Sequence, residues 1–358
     1  MPAYIFSIAT AVPKQQYRQE DAARVMLARL GLSKPLAYKI EKIYKQTAIE
    51  TRHTVLDDPF GEGNSYFFEE EKQPKMGDRN KIYKEKALSL AVETAKETLT
   101  NWQGDPQEIT HVISVSCTGL FAPGLEFSLI KELGLSPRVD RLGINFMGCF
   151  GAFRGLAMAE ALALENPKNR VLLVCTELCS LSFQPSHTLD ALISNALFSD
   201  GASSLIVSSQ GVNPSFRIVS KASFALPDSF EEMQWDASDI GFFMKLSLKV
   251  PQHLRSHVRA FVDHLLDGKV SIEECDFPLH PGGRAILEQI EEELNLTKKQ
   301  TEASWQTLSE YGNMSSATFP FVLKKLLNKP QEERLPFAVG LGFGPGLAME
   351  GILLEELL

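Results

Sequence analysis

The sequence has little of what marks secreted, disulfide-stapled or nucleic-acid-binding proteins. Its 358 residues include five cysteines, an odd number without the spacing of a disulfide framework. Lysine and arginine number 36 against 45 acidic residues, and the net charge of −9 offers no electrostatic footprint for nucleic acid. These absences predict a reduced, cytoplasmic protein without a nucleic-acid partner.

Long apolar runs are also missing. Arg154 and Glu160 interrupt the most apolar helical stretch, so no segment reaches transmembrane length and we expect no membrane insertion. The apolar run 3–12 lacks the basic segment and cleavage pattern of a signal peptide, and we expect it to form a buried first strand. Cys175 and Cys179 are not accompanied by a second pair of ligands, so we expect no metal site.

What the sequence does contain is an alternation of short apolar strands with helical stretches, which is typical of an α/β protein. A candidate linker at 211–214 divides the chain into residues 1–211 and 212–358. The main predicted strands are 109–116, 171–176, 204–208, 216–223, 337–342 and 347–354, and the predicted helices are 19–30, 79–102, 152–165, 250–266, 285–294 and 314–327.

Cys149 lies in the segment Gly148-Cys149-Phe150-Gly151, between an apolar run at 144–147 that predicts a buried strand and the helix predicted at 152–165. A cysteine at a helix N-terminus meets unpaired backbone N–H groups and the positive end of the helix dipole, which favour the nucleophilic thiolate. The alternative is a small buried residue, since free cysteine is among the most buried residue types. The pattern alone leaves both open.

His280 and Asn313 lie at two further predicted turns. His280 ends a short strand-like run at 275–279, and Pro281-Gly282-Gly283 opens the helix after it. Asn313 follows Gly312 and precedes the helix predicted at 314–327, where an ordinary helix N-cap is the alternative. Taken with Cys149, the set supplies a nucleophile, a base and an amide donor, each beside glycine or small residues. It predicts acyl transfer through a cysteine thioester.

The chain resembles the type III polyketide synthases, a chalcone synthase-like family of thiolase-fold condensing enzymes, over nearly its whole length. The phrases around His280, Asn313 and Pro345 are the most specific, because ketoacyl-carrier-protein synthases III carry His-Gln-Ala-Asn and Gly-Asn-Thr-Ser at the first two points. The matching stretches are 117–119, 123–124, 148–149, 196–202, 226–229, 280–283, 308–317 and 342–347.

The resemblance implies an α/β fold of five layers (αβαβα) built from two pseudo-equivalent halves and working as a homodimer. Cys149 would come from the first half, and His280 and Asn313 from the second. The implied activity is repeated decarboxylative condensation of malonyl-CoA onto an acyl-CoA or malonyl starter held on Cys149. Cyclisation would then give a pyrone, resorcinol, phloroglucinol or naphthalene-type product. Decarboxylation drives the reaction, so we expect no cofactor.

The resemblance also assigns residues to the pocket and to CoA. Phe198 matches the family's first gatekeeper phenylalanine, and Met244 replaces the second. Trp235 stands where plant enzymes have glycine, and a cysteine at the position of Cys117 occurs in bacterial members. These departures disfavour a plant-like coumaroyl starter and favour malonyl or fatty acyl groups. The substrate-binding residues are Cys117, Thr118, Cys179, Ser182, Phe198, Trp235, Met244, Ser315, Gly344 and Pro345, and the CoA-binding residues are Lys39, Lys42, Gly282, Gly283 and Ala285.

Other functions remain open at this point. Lys39 and Lys42 are also compatible with a plain solvated helix face. A ketoacyl synthase would perform one condensation on a carrier protein, and a thiol hydrolase would use the same three residues without forming a carbon–carbon bond. A noncatalytic binding protein on this fold would have no use for the set of Cys149, His280 and Asn313.

Overall fold

The computed structural model describes residues 1–57 and 73–357. The strands are β1 (Ala3–Ala11), β2 (Gln15–Arg18), β3 (Thr51–Thr54), β4 (His111–Ser116), β5 (Asp140–Asn145), β6 (Arg170–Leu178), β7 (Asp200–Ser208), β8 (Phe216–Ala225), β9 (Met233–Ser238), β10 (Gly241–Leu246), β11 (Cys275–Asp276), β12 (Phe337–Gly344) and β13 (Ala348–Glu356). The helices are α1 (Gln19–Arg29), α2 (Lys34–Gln46), α3 (Met76–Trp102), α4 (Leu125–Glu132), α5 (Gly151–Glu165), α6 (Leu189–Leu197), α7 (Val250–Leu266), α8 (Arg284–Leu294), α9 (Glu302–Tyr311) and α10 (Thr318–Leu327).

The two halves of the chain repeat one strand topology. In the first half β1 pairs antiparallel with β7, β7 antiparallel with β6, and β6 parallel with β4. In the second half β8 pairs antiparallel with β13, β13 antiparallel with β12, and β12 parallel with β11. Antiparallel pairing of β1 with β8 joins them, giving the order β11-β12-β13-β8-β1-β7-β6-β4-β5. The repeat makes the halves pseudo-equivalent.

Three hydrophobic clusters lie between the helices and the strands and hold them together in layers. The outer cluster of the first half packs α3 and α4 on its strands, with Leu99, Val112 and Leu172 among its members. The central cluster packs α5 and α10 between strands of both halves, and the rings of Phe153 and Phe319 lie 4.1 Å apart there. The outer cluster of the second half packs α7 and α8. The order helix, sheet, helix, sheet, helix agrees with the five-layered fold. It also puts α5 and α10, the helices that follow Cys149 and Asn313, side by side.

The predicted buried strand at 144–147 is wrong. The strand is β5 (Asp140–Asn145), it lies last in the sheet order beside β4, and most of its residues are exposed. Phe146 and Met147 follow it and are 38% and 37% exposed. A continuous apolar run is compatible with a strand buried on both faces, but here it belongs to an edge strand that leaves apolar side chains uncovered.

Two further predicted elements are shorter than expected. The helix predicted at 314–327 is α10 (Thr318–Leu327), because Ser315 has a positive φ of 50° and a single 3-10 turn precedes the helix. The strand predicted at 275–279 is β11 (Cys275–Asp276), since Pro278 has no N–H for the ladder, and one isolated bridge joins Leu279 to Leu341 beyond it.

None of the helices that the structure describes is both long and apolar enough to cross a membrane.

Candidate active site

Cys149 sits in a 3-10 turn, Gly148–Phe150, that runs directly into α5. The turn is tight: Gly148 has a φ of +67°, and a Cβ added there would come within 2.5 Å of Pro345 Cδ. Glycine is therefore required both for the backbone conformation and for the close approach of the segment after β12. The Cys149 side chain is 6% exposed, so the turn holds the thiol inside the molecule at the N-terminal end of a helix.

Asn313 places its amide beside the thiol. Its Nδ2 lies 3.8 Å and its Oδ1 3.9 Å from Cys149 Sγ. The Ser315 backbone N–H donates to Oδ1 at 2.8 Å, so the amide oxygen is already engaged and the NH₂ group is the end available to the sulfur. Nδ2 also lies 3.4 Å from the Gly282 carbonyl oxygen, on the His280 loop. The hydrogen bond from the Ser315 N–H to Asn313 Oδ1 is of the kind that an N-cap asparagine makes. The NH₂ group of the same side chain also faces the Cys149 thiol.

His280 is held by its backbone and leaves its ring open. Its N–H donates to the Leu341 carbonyl at 2.7 Å, and the residue is 1% exposed. Neither ring nitrogen has a hydrogen-bond partner among the described residues. A Cβ on Gly282 would lie 3.0 Å from Ile286 Cδ1, so glycine at this position allows the loop after His280 to pack closely on α8. Two open nitrogens on a buried imidazole suit a residue that exchanges protons with a substrate.

Burial has the largest effect on the pKa of both the Cys149 thiol and the His280 imidazole. It raises the pKa of the Cys149 thiol to about 11, against smaller effects of hydrogen bonds from Asn313 and Ser315. It lowers the pKa of the His280 imidazole to about 3. The thiolate that the helix N-terminus was expected to favour does not follow from burial, which favours the neutral form of each group. Both groups are therefore neutral in the free site.

A buried carboxylate that the sequence analysis missed, Glu177 at the end of β6, supports the same site. It accepts hydrogen bonds from the Cys117 backbone N–H at 3.0 Å, from Thr118 Oγ1 at 2.8 Å and from the Ser316 hydroxyl. Burial raises its pKa, while these donors lower it. Glu177 thus ties the end of β4 to the turn after Asn313. In the sequence, the signal that could have revealed it is the position of Glu177 directly after the apolar run 171–176.

A small cavity of about 10 Å³ lies beside Cys149. Eight of the predicted substrate residues line it: Cys117, Thr118, Cys179, Phe198, Trp235, Met244, Ser315 and Pro345. Ser182 lines a neighbouring cavity instead. Gly344 is absent from both linings, and a Cβ there would strike the Phe150 ring at 2.6 Å, so it allows close packing under the nucleophile turn.

The predicted CoA residues divide between two places. Lys39 and Lys42 are exposed on α2, and neither lines the cavity beside Cys149. Gly282 and Gly283 lie in the loop between His280 and α8, and Ala285 lies in the first turn of α8. The loop residues follow His280 closely in sequence, whereas the two lysines lie on the separate surface helix α2.

Comparison with known proteins matches both halves of the chain. The profile of the chalcone and stilbene synthases, N-terminal domain, matches residues 1–211, and that of the C-terminal domain matches residues 217–358. Alpha-pyrone synthesis polyketide synthase-like Pks18 of Mycobacterium tuberculosis is 30% identical over 99% of this chain and 91% of its own length. Probable polyketide synthase 1 of Dictyostelium discoideum is 33% identical over 99% of this chain, which spans 11% of that protein's length.

Solved structures agree. The C-terminal type III polyketide synthase domain of Steely1, from Dictyostelium, superposes with a TM-score of 0.94 at 31% identity, covering 100% of both chains. A polyketide synthase from the brown alga Ectocarpus siliculosus superposes with a TM-score of 0.92 at 28% identity, covering 99% of this chain and 98% of the other. The fold described above is therefore that of the thiolase-like condensing enzymes.

Proposed function

This chain belongs to the chalcone and stilbene synthase family, and we propose that it is an acyltransferase that extends an acyl-CoA starter repeatedly with malonyl-CoA, as a type III polyketide synthase. The observation that carries this proposal is the approach of the Asn313 amide to Cys149 Sγ, with the open His280 ring on the neighbouring loop. A nucleophile beside two hydrogen-bonding groups suits both thioester formation and the stabilisation of an enolate.

The first step loads the starter. His280 accepts the Cys149 thiol proton as sulfur attacks the acyl-CoA carbonyl, and the thiolate of CoA leaves as the thioester forms. The attack creates negative charge on the carbonyl oxygen inside a buried site. The Asn313 NH₂ group is oriented by the Ser315 N–H bond to its oxygen, so it is ready to donate to the enolate of the next step without reorganising.

The second step forms the carbon–carbon bond. Malonyl-CoA loses CO₂, and the electron pair left on its α-carbon delocalises onto the thioester oxygen, where Asn313 and His280 donate hydrogen bonds. A single donor of this type contributes about 3 kcal/mol in comparable sites. The enolate carbon attacks the Cys149 thioester, and the Cys149 thiolate leaves. The extended chain then returns to Cys149 for another round.

We propose a homodimer formed through the exposed edge of the first half. Among the described residues β5 pairs with β4 alone, and exposed strand edges with apolar side chains mark interaction surfaces. The exposed apolar side chains of this face, which we call the β5 face, are Leu120, Phe127, Leu142, Phe146 and Met147, exposed by 37% to 54%. Sedimentation of the wild type and of Leu142→Glu at micromolar concentration tests this, since a charge on the β5 face should give a monomer.

The pocket and the relatives support a choice of starters to test and of a first product to seek. The compact Cys117 and Cys179 and the bulky Trp235 line the cavity beside Cys149. Their pattern favours malonyl or fatty acyl starters over coumaroyl-CoA. The printed name of the mycobacterial relative assigns alpha-pyrone synthesis to that protein, so a pyrone is the first product to seek here.

The test is incubation of the purified protein with malonyl-CoA and a panel of acyl-CoAs, followed by identification of products by mass. Products that contain more than one added ketide unit support the proposal. A single condensation on a carrier protein would instead indicate a ketoacyl synthase, and release of the free starter acid without malonyl-CoA would indicate a thiol hydrolase.

A further inference from the structure

Phe146 carries a bulky aromatic side chain on a backbone conformation that such residues rarely adopt. It lies between β5 and the turn Gly148–Phe150, and its φ is +59°. Its N–H donates to the Ser116 carbonyl at 3.2 Å, which ties the residue to the end of β4. Left-handed backbone suits glycine and asparagine but is an outlier for a bulky residue, and such outliers concentrate at functional sites. The contacts of the Phe146 ring indicate what this conformation serves.

The Phe146 ring packs against Phe242 of the β9–β10 hairpin. The two ring centroids lie 5.3 Å apart with the ring planes at 67°, an edge-to-face contact. Phe242 is buried, and its ring stacks on that of Trp235 with centroids 5.8 Å apart and planes at 25°. Trp235 lines the cavity beside Cys149, whereas Phe146 does not. Two aromatic contacts therefore connect a residue of the exposed β5 face to the wall of the catalytic cavity.

The hairpin depends on side-chain contacts for its position over the cavity. Among the residues that the structure describes, β9 and β10 pair only with each other and do not join the nine-stranded sheet. A two-stranded hairpin is marginally stable on its own. Met244 pairs with Trp235 in the ladder, and Phe242 lies two residues before Met244, so the three side chains share one face of the hairpin. A ring that supports Phe242 therefore acts on Trp235 and Met244, which both line the cavity.

The position of Trp235 matters because the cavity is small. Its volume of about 10 Å³ is close to the least that holds one water molecule. The indole N–H bond to the Cys117 carbonyl fixes one edge of the Trp235 ring, and the stack on Phe242 fixes its plane. A small displacement of this ring thus changes much of the space that a starter can use beside Cys149.

We propose that Phe146 is a positioning residue that holds the wall of the catalytic cavity in place, acting through Phe242 on Trp235, and that it thereby restricts the length of the starter. This rests on the proposed function and names a determinant of its substrate choice. Phe146 touches neither the cavity nor its substrate. Its ring supports the buried Phe242 from the β5 face, and the left-handed backbone at Phe146 is the strain that this placement carries.

The first test measures kcat/KM for extension of acetyl-CoA and of dodecanoyl-CoA with malonyl-CoA. Phe146→Asn removes the ring with a residue that tolerates left-handed backbone. We expect it to raise the ratio of kcat/KM for dodecanoyl-CoA to that for acetyl-CoA about fivefold, within the scale of one aromatic pair, because a released wall yields to the longer starter. Phe146→Tyr keeps the ring and should keep the wild-type ratio.

The matched control is Phe224→Asn. Phe224 lies on β8 with nearly the same exposure as Phe146, and its ring lies beside His257 of α7 instead of the β9–β10 hairpin. This variant also exchanges a partly exposed phenylalanine for asparagine, and it should keep the wild-type ratio.

The second test needs no substrate. Acrylamide quenching of tryptophan fluorescence is measured for each protein and for the same protein carrying Trp235→Phe, and the difference isolates Trp235 from Trp102 and Trp305. Phe146→Asn should increase the quenching of Trp235, because the ring is held less tightly, and should leave the quenching of the other two tryptophans unchanged. Phe146→Tyr and Phe224→Asn should match the wild type.

An unchanged starter ratio in Phe146→Asn would overturn the proposal. So would an equal fall in kcat/KM for both starters, which is the result expected of a role in stability alone. A changed ratio with unchanged quenching of Trp235 would show that Phe146 acts by another route, and this too would overturn it. If the wild type extends neither starter, the proposed function fails, and the quenching of Trp235 still decides whether Phe146 positions that ring.

Discussion

The indole N–H of Trp235 donates a hydrogen bond to the backbone carbonyl of Cys117, with a donor–acceptor distance of 2.8 Å. The contact joins the β9–β10 hairpin of the second half to the end of β4 in the first, across the cavity beside Cys149. Met244 is the cross-strand partner of Trp235 in that hairpin, and the Trp235 ring stacks on Phe242 at 5.8 Å. Trp235 therefore limits the cavity and is fixed in that position.

Trp235→Gly should enlarge the cavity and shift products towards longer starters or more extensions. Trp235→Phe keeps much of the volume but removes the hydrogen bond, so it should loosen the hairpin without the same gain in product length. Product profiles by mass across starters of increasing length distinguish the two. Identical profiles for the wild type and Trp235→Gly would show that this ring does not limit the growing chain.

Cys117→Phe should have the effect opposite to that of Trp235→Gly, because it reduces the size of the cavity. Cys117 is buried, its sulfur lies 3.3 Å from Ser315 Oγ, and close-packed surroundings leave no room for a ring outside the cavity. We expect shorter acyl chains or fewer extensions, with acylation of Cys149 by acetyl-CoA preserved. A product profile that does not change would place Cys117 away from the substrate.

Asn313→Ala should separate loading from decarboxylation. The amide cannot remove a proton from a thiol, but it can stabilise an enolate, and loss of such a donor reduces kcat by about 10²–10³-fold. The variant should still acquire an acyl group at Cys149, whereas release of CO₂ from malonyl-CoA should fall by that factor. Loss of acylation with normal CO₂ release would reverse the assignment.

His280→Ala should change how the reactivity of Cys149 depends on pH. Burial raises the pKa of this thiol to about 11, against smaller lowering effects of hydrogen bonds from Asn313 and Ser315. Without the imidazole, the thiolate fraction and the rate of alkylation by iodoacetamide should then rise about tenfold for each pH unit between pH 6 and 9. The wild type should react faster at pH 7, because His280 accepts the proton. Superimposable rate profiles would mean that His280 does not activate the thiol.

The sequence predicted that Cys149, His280 and Asn313 act together because each stands at a predicted turn close to glycine, and the structure brings the Asn313 amide to Cys149 and to the loop that follows His280. The same local patterns predicted α3, α5, α7 and α8, whose apolar faces are long and regular. They did not reveal that the run at 144–147 is exposed, because whether an apolar strand lies at the edge or centre of a sheet depends on partners distant in sequence. Glu177 was missed for a related reason: its donors Cys117 and Ser316 are far from it along the chain.

The protonation states of Cys149 and His280 could not be predicted from the sequence either. A cysteine before a helix indicates a stabilised thiolate, but burial of Cys149 and His280 acts against each charge and can be assessed only once the surrounding layers are in place. The larger cavity that Ser182 lines is a further case, since Met26, Tyr44, Arg52 and Ala191 come together around it only through the packing of α1, α2, β3 and α6.

The most direct measurement of the central claim is intact-protein and peptide mass spectrometry of wild type and Cys149→Ala after incubation with an acyl-CoA starter, followed by malonyl-CoA. The thioester should appear on the Cys149 peptide of the wild type, disappear when malonyl-CoA is added, and be replaced by a product with at least two ketide units. Cys149→Ala, with an unchanged circular dichroism spectrum, should carry no acyl group and form no product. Continued formation of the extended product by Cys149→Ala would contradict the account.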